Sequence, residues 1–292
     1  MEPSTDISLA DLAKLEITHS IPEDVLQKAL STQPFIGVPG AINIRDLGVL
    51  GAPYIRPGLV YRSGMLGHLT DEGKAQLYND MGVRLILDLR SDGERTTSPP
   101  PQIPGIKIAW VPSEKAQTPA DLNVFAGENG GEVGYRQIYL DMLDVYAPSY
   151  QYVLEYLRDE AGDGKGVLFH CSGKWGFSYH SYLSGKDRTG VLSAILLGLA
   201  GASDAAIAAD YTLTRIGIEP RKSLFHQALL NWRPEWSVDA PGWTQFSNIK
   251  ASYMLGFLDA MRDTYGGVEG YVRSHLGFSE EDIKKIQVAL RQ

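Results

Sequence analysis

The chain has a single cysteine, Cys171, in Phe169-His170-Cys171-Ser172, and Gly185-Lys186-Asp187-Arg188-Thr189-Gly190 follows it, opening a long apolar run. A strand ending in His-Cys, then a glycine-bearing turn, then an arginine at a helix start holds the parts for phosphate chemistry with a thiolate nucleophile. Backbone N–H groups of such a turn, together with the positive helix end, hold an anion. The same field lowers a cysteine's pKa, so that the thiolate is populated near neutral pH. Arg188 offers a planar fork of donors that matches phosphate oxygens. A cation at a helix start is disfavoured without an anion to bind. Ser184 to Thr189 are therefore the expected phosphate-binding residues, with Cys171 as nucleophile. Lys186 either adds positive potential or is a surface lysine. Thr189 either bonds the sulfur or caps the helix. A free cysteine taken alone is most often an inert small hydrophobe, and it is the flanking residues that reverse that reading.

One interruption separates the two halves. Eleven residues, Gly173 to Leu183, lie between the cysteine and the Ser184-Gly185-Lys186 turn. Closing such a loop costs little, because loop entropy grows slowly with length. Keeping the neighbouring N–H vectors aligned is harder, since errors near 1 Å already matter for catalysis. The segment offers no arginine of its own. A single interruption at the least tolerant point is what a retained intron or other gene-model error produces, and on that reading the working protein lacks 173–183. If the segment is genuine, the expectation is severely reduced activity.

The elements that position these residues read as an alternation of strands and helices. Val83–Leu89, Ile106–Pro112 and Gly166–His170 read as buried strands, and Thr70–Met81 reads as a helix capped by its threonine. Tyr135–Arg158, Thr189–Leu199, Asp204–Thr214 and Ser252–Arg291 carry helical periodicity. Residues 1–33 read as a loosely attached arm or helix, and 116–134, polar and glycine-rich, as a mobile lid or a loop near the site. This pattern predicts an α/β domain over 34–292, with a central, mainly parallel sheet flanked by helices on both faces. Asp88 then ends a strand at the sheet edge that carries the cysteine.

Residues beyond the loop carry a family resemblance. Without 173–183 the loop reads His170-Cys171-Ser172-Ser184-Gly185-Lys186-Asp187-Arg188-Thr189-Gly190. That resembles the H-C-x-x-G-K-D-R-T-G loop of a single-domain microbial and fungal branch of the protein-tyrosine-phosphatase superfamily. Asn43-Ile44-Arg45-Asp46-Leu47-Gly48, Arg56 to Gly64, Asp88-Leu89-Arg90-Ser91 with Glu94, and Tyr265 to Tyr271 resemble further elements of that branch, in its order. The resemblance implies a cysteine-phosphatase fold and hydrolysis of phosphomonoesters through a phosphocysteine, with no cofactor and no metal. It assigns the general acid to the aspartate of the Asp-Leu-Arg-Ser element, so Asp88 is the first choice and Asp187, within the loop, the second. His170 either orients the loop or is a satisfied core histidine, and Arg45 with Asp46 reads as a bracing ion pair. The implied substrate is a phosphotyrosine protein. Phosphoinositides remain an alternative, as does a catalytically impaired phosphate-binding protein.

Composition narrows the rest. A net charge of −8 argues against a general nucleic-acid binder. One cysteine excludes an intramolecular disulfide and a multi-cysteine zinc site. Glycine at position 185 with Lys186 and Thr189 resembles a Walker A loop, but His180 and Asp187 stand where that loop needs Gly and Ser/Thr. No secretory leader or membrane-spanning run is evident, so a reducing cytoplasmic or nuclear compartment is expected.

Overall fold

Period-two alternation sorts the buried strands onto two faces. In the computed structural model, which describes residues 8–50, 54–161, 165–172, 184–233 and 235–292, the strands are β1 (Arg45–Asp46), β2 (Val60–Ser63), β3 (Val83–Asp88), β4 (Lys107–Ala109) and β5 (Gly166–His170). They form one sheet in the order β1-β2-β5-β3-β4, in which β1 is antiparallel to β2 and the other pairings are parallel. Val167 and Phe169 of β5 join Leu85 and Leu87 of β3 in the larger core, whereas Leu168 and Ile86 join the smaller core on the opposite face. The expected α/β architecture, mostly parallel and covered on both faces, is the one observed. β1 and β2 escaped detection because Arg45, Asp46, Arg62 and Ser63 interrupt the apolar signal, although all four are buried.

The helices begin with α1 (Leu9–Leu12), α2 (Glu23–Leu30) and α3 (Asp71–Asn79). Next come α4 (Asp92–Thr97), α5 (Leu122–Phe125), α6 (Gly130–Val145) and α7 (Ala147–Asp159). After β5 lie α8 (Asp187–Leu199), α9 (Asp204–Gly217), α10 (Lys222–Trp232) and α11 (Trp243–Ser247). The chain closes with α12 (Ala251–Tyr265), α13 (Val268–Ser274) and α14 (Glu280–Arg291). Thr70 caps α3 by accepting from Gly73 N, as its position predicts. The single helix expected over Tyr135–Arg158 is two, α6 and α7, broken at Tyr146. Pro148 lies in the first turn of α7, where its missing N–H costs nothing, and it could not have continued α6. The turn-and-helix stretch expected over Ser252–Arg291 is α12, α13 and α14, with α12 ending at Gly266 in the left-handed region (φ 76°).

Residues 8–33, expected to be a loosely attached arm, are packed onto the domain. Leu12, Ala13 and Leu26 share a core cluster with Leu213 and Ile216 of α9, and Ile17 is fully buried in the main core. Arg215 of α9 donates to the carbonyls of Leu15, Glu16 and His19, which satisfies backbone groups of a segment with little secondary structure of its own. Among the described residues no helix is long and apolar enough to cross a membrane. The 173–183 segment lies outside the described residues.

Candidate active site

β5 is the central strand, so the residue after it emerges in the middle of the sheet's carboxyl edge, where open α/β sheets place ligands. That residue is Cys171, and its Sγ lies 3.9 Å from Thr189 Oγ1 on the first turn of α8. Cys171 and Arg188, which lie on either side of 173–183, line the same cavity of about 680 Å³, together with Ser184, Lys186 and Asp187. The electrostatics differ from expectation. Burial pushes the Cys171 thiol above its ordinary pKa, and the opposing pull of Arg188 and the Thr189 N–H does not cancel it.

The anion expected for Arg188 is supplied from within the chain. Glu94 of α4 accepts from both guanidinium ends, at 2.7 and 2.8 Å, and Leu89 O accepts a third bond at 2.9 Å. Ser172 O accepts a fourth. Glu94 is itself half of a capping box, its Oε2 accepting from Ser91 N at 2.7 Å while Ser91 Oγ accepts from Glu94 N. The fork is thereby held in one orientation by a carboxylate that is fixed in turn. The Ser-x-x-Glu spacing at 91–94 was the sequence signal for this role.

Beneath the turn runs a buried network. Gly185 has φ +57°, and a Cβ there would come within 2.3 Å of Ser63 O, so only glycine permits this approach to the end of β2. Arg62 donates to Gly185 O at 2.7 Å and to Thr189 Oγ1 at 3.1 Å, and Asn43 Nδ2 donates to Ser184 O at 2.6 Å. Arg62 also pairs with Asp210 of α9, as does Arg45 at 3.2 Å. The Arg45–Asp46 ion pair is therefore corrected. Neighbours in a strand point to opposite faces, so Arg45 reaches Asp210. Asp46 instead accepts from the backbone N–H groups of Gly48 and Gly58, both at 2.7 Å. Asp210 lies on an ordinary helical stretch and carried no motif by which it could have been singled out.

The two candidate acids have unlike surroundings. Asp88, opposite His170 in the β3–β5 register, has no exposed side-chain surface. Arg90 grips both of its oxygens at 2.8 Å, Arg95 adds a contact at 3.1 Å, and His170 Nε2 lies 3.6 Å away. Burial works against its ionisation, but His170 and Arg90 outweigh burial and hold the carboxyl at about 2. A carboxyl so held favours its ionised form, which weighs against Asp88 and toward Asp187 as the acid. Burial drives His170 down to about 4 despite Asp88, so its imidazole is neutral. Neither ring nitrogen makes a hydrogen bond among the described residues, so the loop-orienting role expected of His170 has no contact behind it. Both aspartates line the cavity, but Asp187 is one-third exposed and accepts from Tyr139 Oη at 2.8 Å.

Lys186 is buried rather than a surface lysine. Its ammonium donates to Tyr135 Oη, lies 4.3 Å from that ring's centroid and is 3.5 Å from Asp187 Oδ1. Burial pushes its pKa down, against the pull of Asp187. The tyrosines around it carry no motif in the sequence. The 116–134 stretch does border the cavity, through Ala116 to Ala120, and Thr118 is tied to Asp141 by bonds of 3.0 and 2.8 Å. Trp110, Tyr146, Phe225 and Phe246 supply aromatic walls.

Comparison with known proteins points to a family. A tyrosine-protein phosphatase of Nostoc commune is 29% identical over 237 residues, covering 79% of this chain and 74% of that protein. The triple specificity protein phosphatase PtpB of Mycobacterium tuberculosis is 27% identical over 285 residues, covering 87% of this chain and 98% of its own. Residues 36–292 match the tyrosine phosphatase family as a whole. That match spans most of the chain, and the chain belongs to the tyrosine phosphatase family.

Proposed function

We propose that this chain hydrolyses phosphomonoesters, protein phosphotyrosine first among them, through a phosphocysteine on Cys171. The observation that carries the reading is the convergence of Cys171 and Arg188 on one cavity from either side of 173–183. The Cys171 thiolate attacks phosphorus as the bond to the leaving oxygen breaks, and Asp187 gives that oxygen its proton. Water then attacks the phosphocysteine, Asp187 takes up a proton, and the sulfur leaves as thiolate with inorganic phosphate as product. Arg188 and the first-turn N–H groups of α8 hold the phosphoryl oxygens as charge shifts among them. Phosphate must take over the Arg188 donor now spent on Ser172 O. The aromatic walls fit a phenyl ester, and a reducing compartment, cytoplasm or nucleus, keeps the thiol available.

A specific observation favours a second reading, a phosphate-binding protein with impaired catalysis. Arg188 is engaged by Glu94 and Ser172, Lys186 by Tyr135, and the thiol is pushed up by burial. One paired experiment separates the readings: turnover of para-nitrophenyl phosphate by the full chain and by a variant lacking 173–183. Both should turn over if the segment is harmless, and the shortened variant alone if it blocks the loop. Cys171→Ser should reduce kcat/KM on the order of 10⁴-fold or more in whichever form is active. Turnover that survives Cys171→Ser would exclude the phosphocysteine route. A panel adding phosphoserine peptide and phosphoinositide tests the wider range suggested by the name of the Mycobacterium tuberculosis relative.

A further inference from the structure

Behind Asp187 stands a chain of hydroxyls that no step above requires. Tyr139 Oη lies 2.8 Å from Asp187 Oδ1 and 2.8 Å from Tyr211 Oη. Both tyrosines are fully buried, Tyr139 on α6 and Tyr211 on α9. Unlike Asp187, neither lines the cavity. A phenol has one hydrogen to donate. If Tyr139 gives its hydrogen to the carboxylate, the hydrogen between the two phenols must come from Tyr211, so the pair has a single direction. Lys186 Nζ, at 3.5 Å, approaches the same oxygen, Oδ1. Two neighbours thus claim Oδ1, and Oδ2 is the oxygen left to carry a proton.

We propose that Tyr139 is the positioning residue of the loop acid: it holds Asp187 Oδ1, with Tyr211 fixing the direction of the Tyr139 hydrogen, so that Oδ2 faces the leaving oxygen. The inference rests on Asp187 as general acid under the function proposed above. As Asp187 loses its proton to the leaving oxygen, it becomes a carboxylate, and the Tyr139 bond changes from neutral to charge-assisted. Bonds to ionised groups are roughly twice as strong as neutral ones. Tyr139 therefore assists the transition state more than the ground state, which is the condition for raising a rate. Burial, and then Asp187, keep the Tyr139 hydroxyl protonated well beyond the ordinary tyrosine range, so it stays a donor throughout.

The test compares kcat/KM for phenyl phosphate, whose leaving oxygen needs a proton, with para-nitrophenyl phosphate, whose leaving oxygen does not. Tyr139→Phe should lower the first about tenfold, as one weakened charge-assisted bond implies, and the second by less than about threefold. Asp187→Asn should show the same split, but larger. Equal losses on both esters for Tyr139→Phe, or none on either, beside a split for Asp187→Asn, would overturn the inference and leave the function standing. Absence of a split in Asp187→Asn would instead remove the acid assignment, and absence of turnover in the wild-type chain would remove the function. Should Tyr139→Phe fail to fold, Tyr211→Phe decides. A split in the same sense, of about threefold, supports the relay, and equal losses refute it.

Discussion

Two aspartates lie within reach of one cavity, and they differ in what compensates their charge. Asp88 has no exposed side-chain surface and faces two cations, Arg90 on both oxygens and Arg95 on one, with the neutral His170 nearby. Asp187 is one-third exposed and faces a neutral phenol at 2.8 Å, with one ammonium farther off at 3.5 Å. A carboxylate ringed by guanidinium groups is fixed in its ionised form and serves as architecture. One held by a neutral donor with solvent access can change its protonation during a reaction. The same division runs through the whole site: Glu94–Arg188 and Asp210–Arg45–Arg62 are closed ion pairs that set geometry. Under the function proposed above, proton traffic falls to Asp187, with Tyr139 and Tyr211 packed behind it.

Exchanging each aspartate for asparagine should expose this division most strongly. Asp187→Asn is expected to lower kcat/KM for phenyl phosphate on the order of 100-fold while leaving the urea midpoint nearly unchanged. Asp88→Asn is expected to do the reverse. It leaves the buried Arg90 without its carboxylate, a loss of about 3–5 kcal/mol in unfolding free energy, while each folded molecule keeps turnover within about tenfold. Steady-state kinetics and urea unfolding on both variants give four numbers. The division collapses if Asp88→Asn turns out to be the one with the large leaving-group split.

The acid limb of stability offers a second, smaller contrast. Asp88 sits at about 2 against an ordinary 3.8, so its folded pKa is depressed. Its contribution is fully present above about pH 4 and is lost as pH falls toward 2, amounting to about 2–3 kcal/mol. His170, at about 4 against 6.5, is also depressed and therefore has the same sign. Its neutral form stabilises the fold above pH 6.5, and that contribution fades as pH falls through 4. In urea titrations from pH 7 to pH 2.5, the stability gap between wild type and Asp88→Asn should stay constant down to about pH 4 and narrow below it. A gap that stays equally wide at pH 2.5 would mean that the Asp88 pKa is not depressed.

Much of this site was legible in the chain because motif chemistry and strand ends coincide. Cys171 after an apolar strand, and Arg188 at the start of an apolar helix, announced the loop and the sheet edge. The central sheet with helices on both faces followed from strands such as Val83–Leu89 and Gly166–His170 alternating with helices, and the phosphatase type from the resemblance of the motifs. What escaped was long-range compensation. That Arg45 reaches Asp210 across 165 positions rather than its neighbour Asp46 depends on which face of β1 packs against α9. The resemblance and its place at a strand end made Asp88 the first choice of acid, while nothing in the sequence showed that Arg90 and Arg95, within seven residues, grip its carboxylate. Tyr139 and Tyr211 carry no motif in the sequence and are buried, and only the distance to Asp187 brings out their hydroxyls.

The gentlest probe of the comparison is Arg95→Ala. Arg95 is the most exposed of the two arginines on Asp88, at 22% of its side chain, and its guanidinium stacks over Trp110 with Cζ 4.3 Å from the ring centroid. Solvent screens such a contact, so the ion pair and the stacking together should be worth about 0.5–1.5 kcal/mol. Because Arg90 still grips both oxygens of Asp88, the carboxylate stays ionised and the site keeps its shape. Arg95→Ala should therefore lower the unfolding free energy by that amount and leave the ratio of kcat/KM values for phenyl and para-nitrophenyl phosphate where it was. A changed ratio would mean that charge around Asp88 reaches the leaving oxygen after all. In that case the two carboxylates would form one coupled system instead of two separate ones.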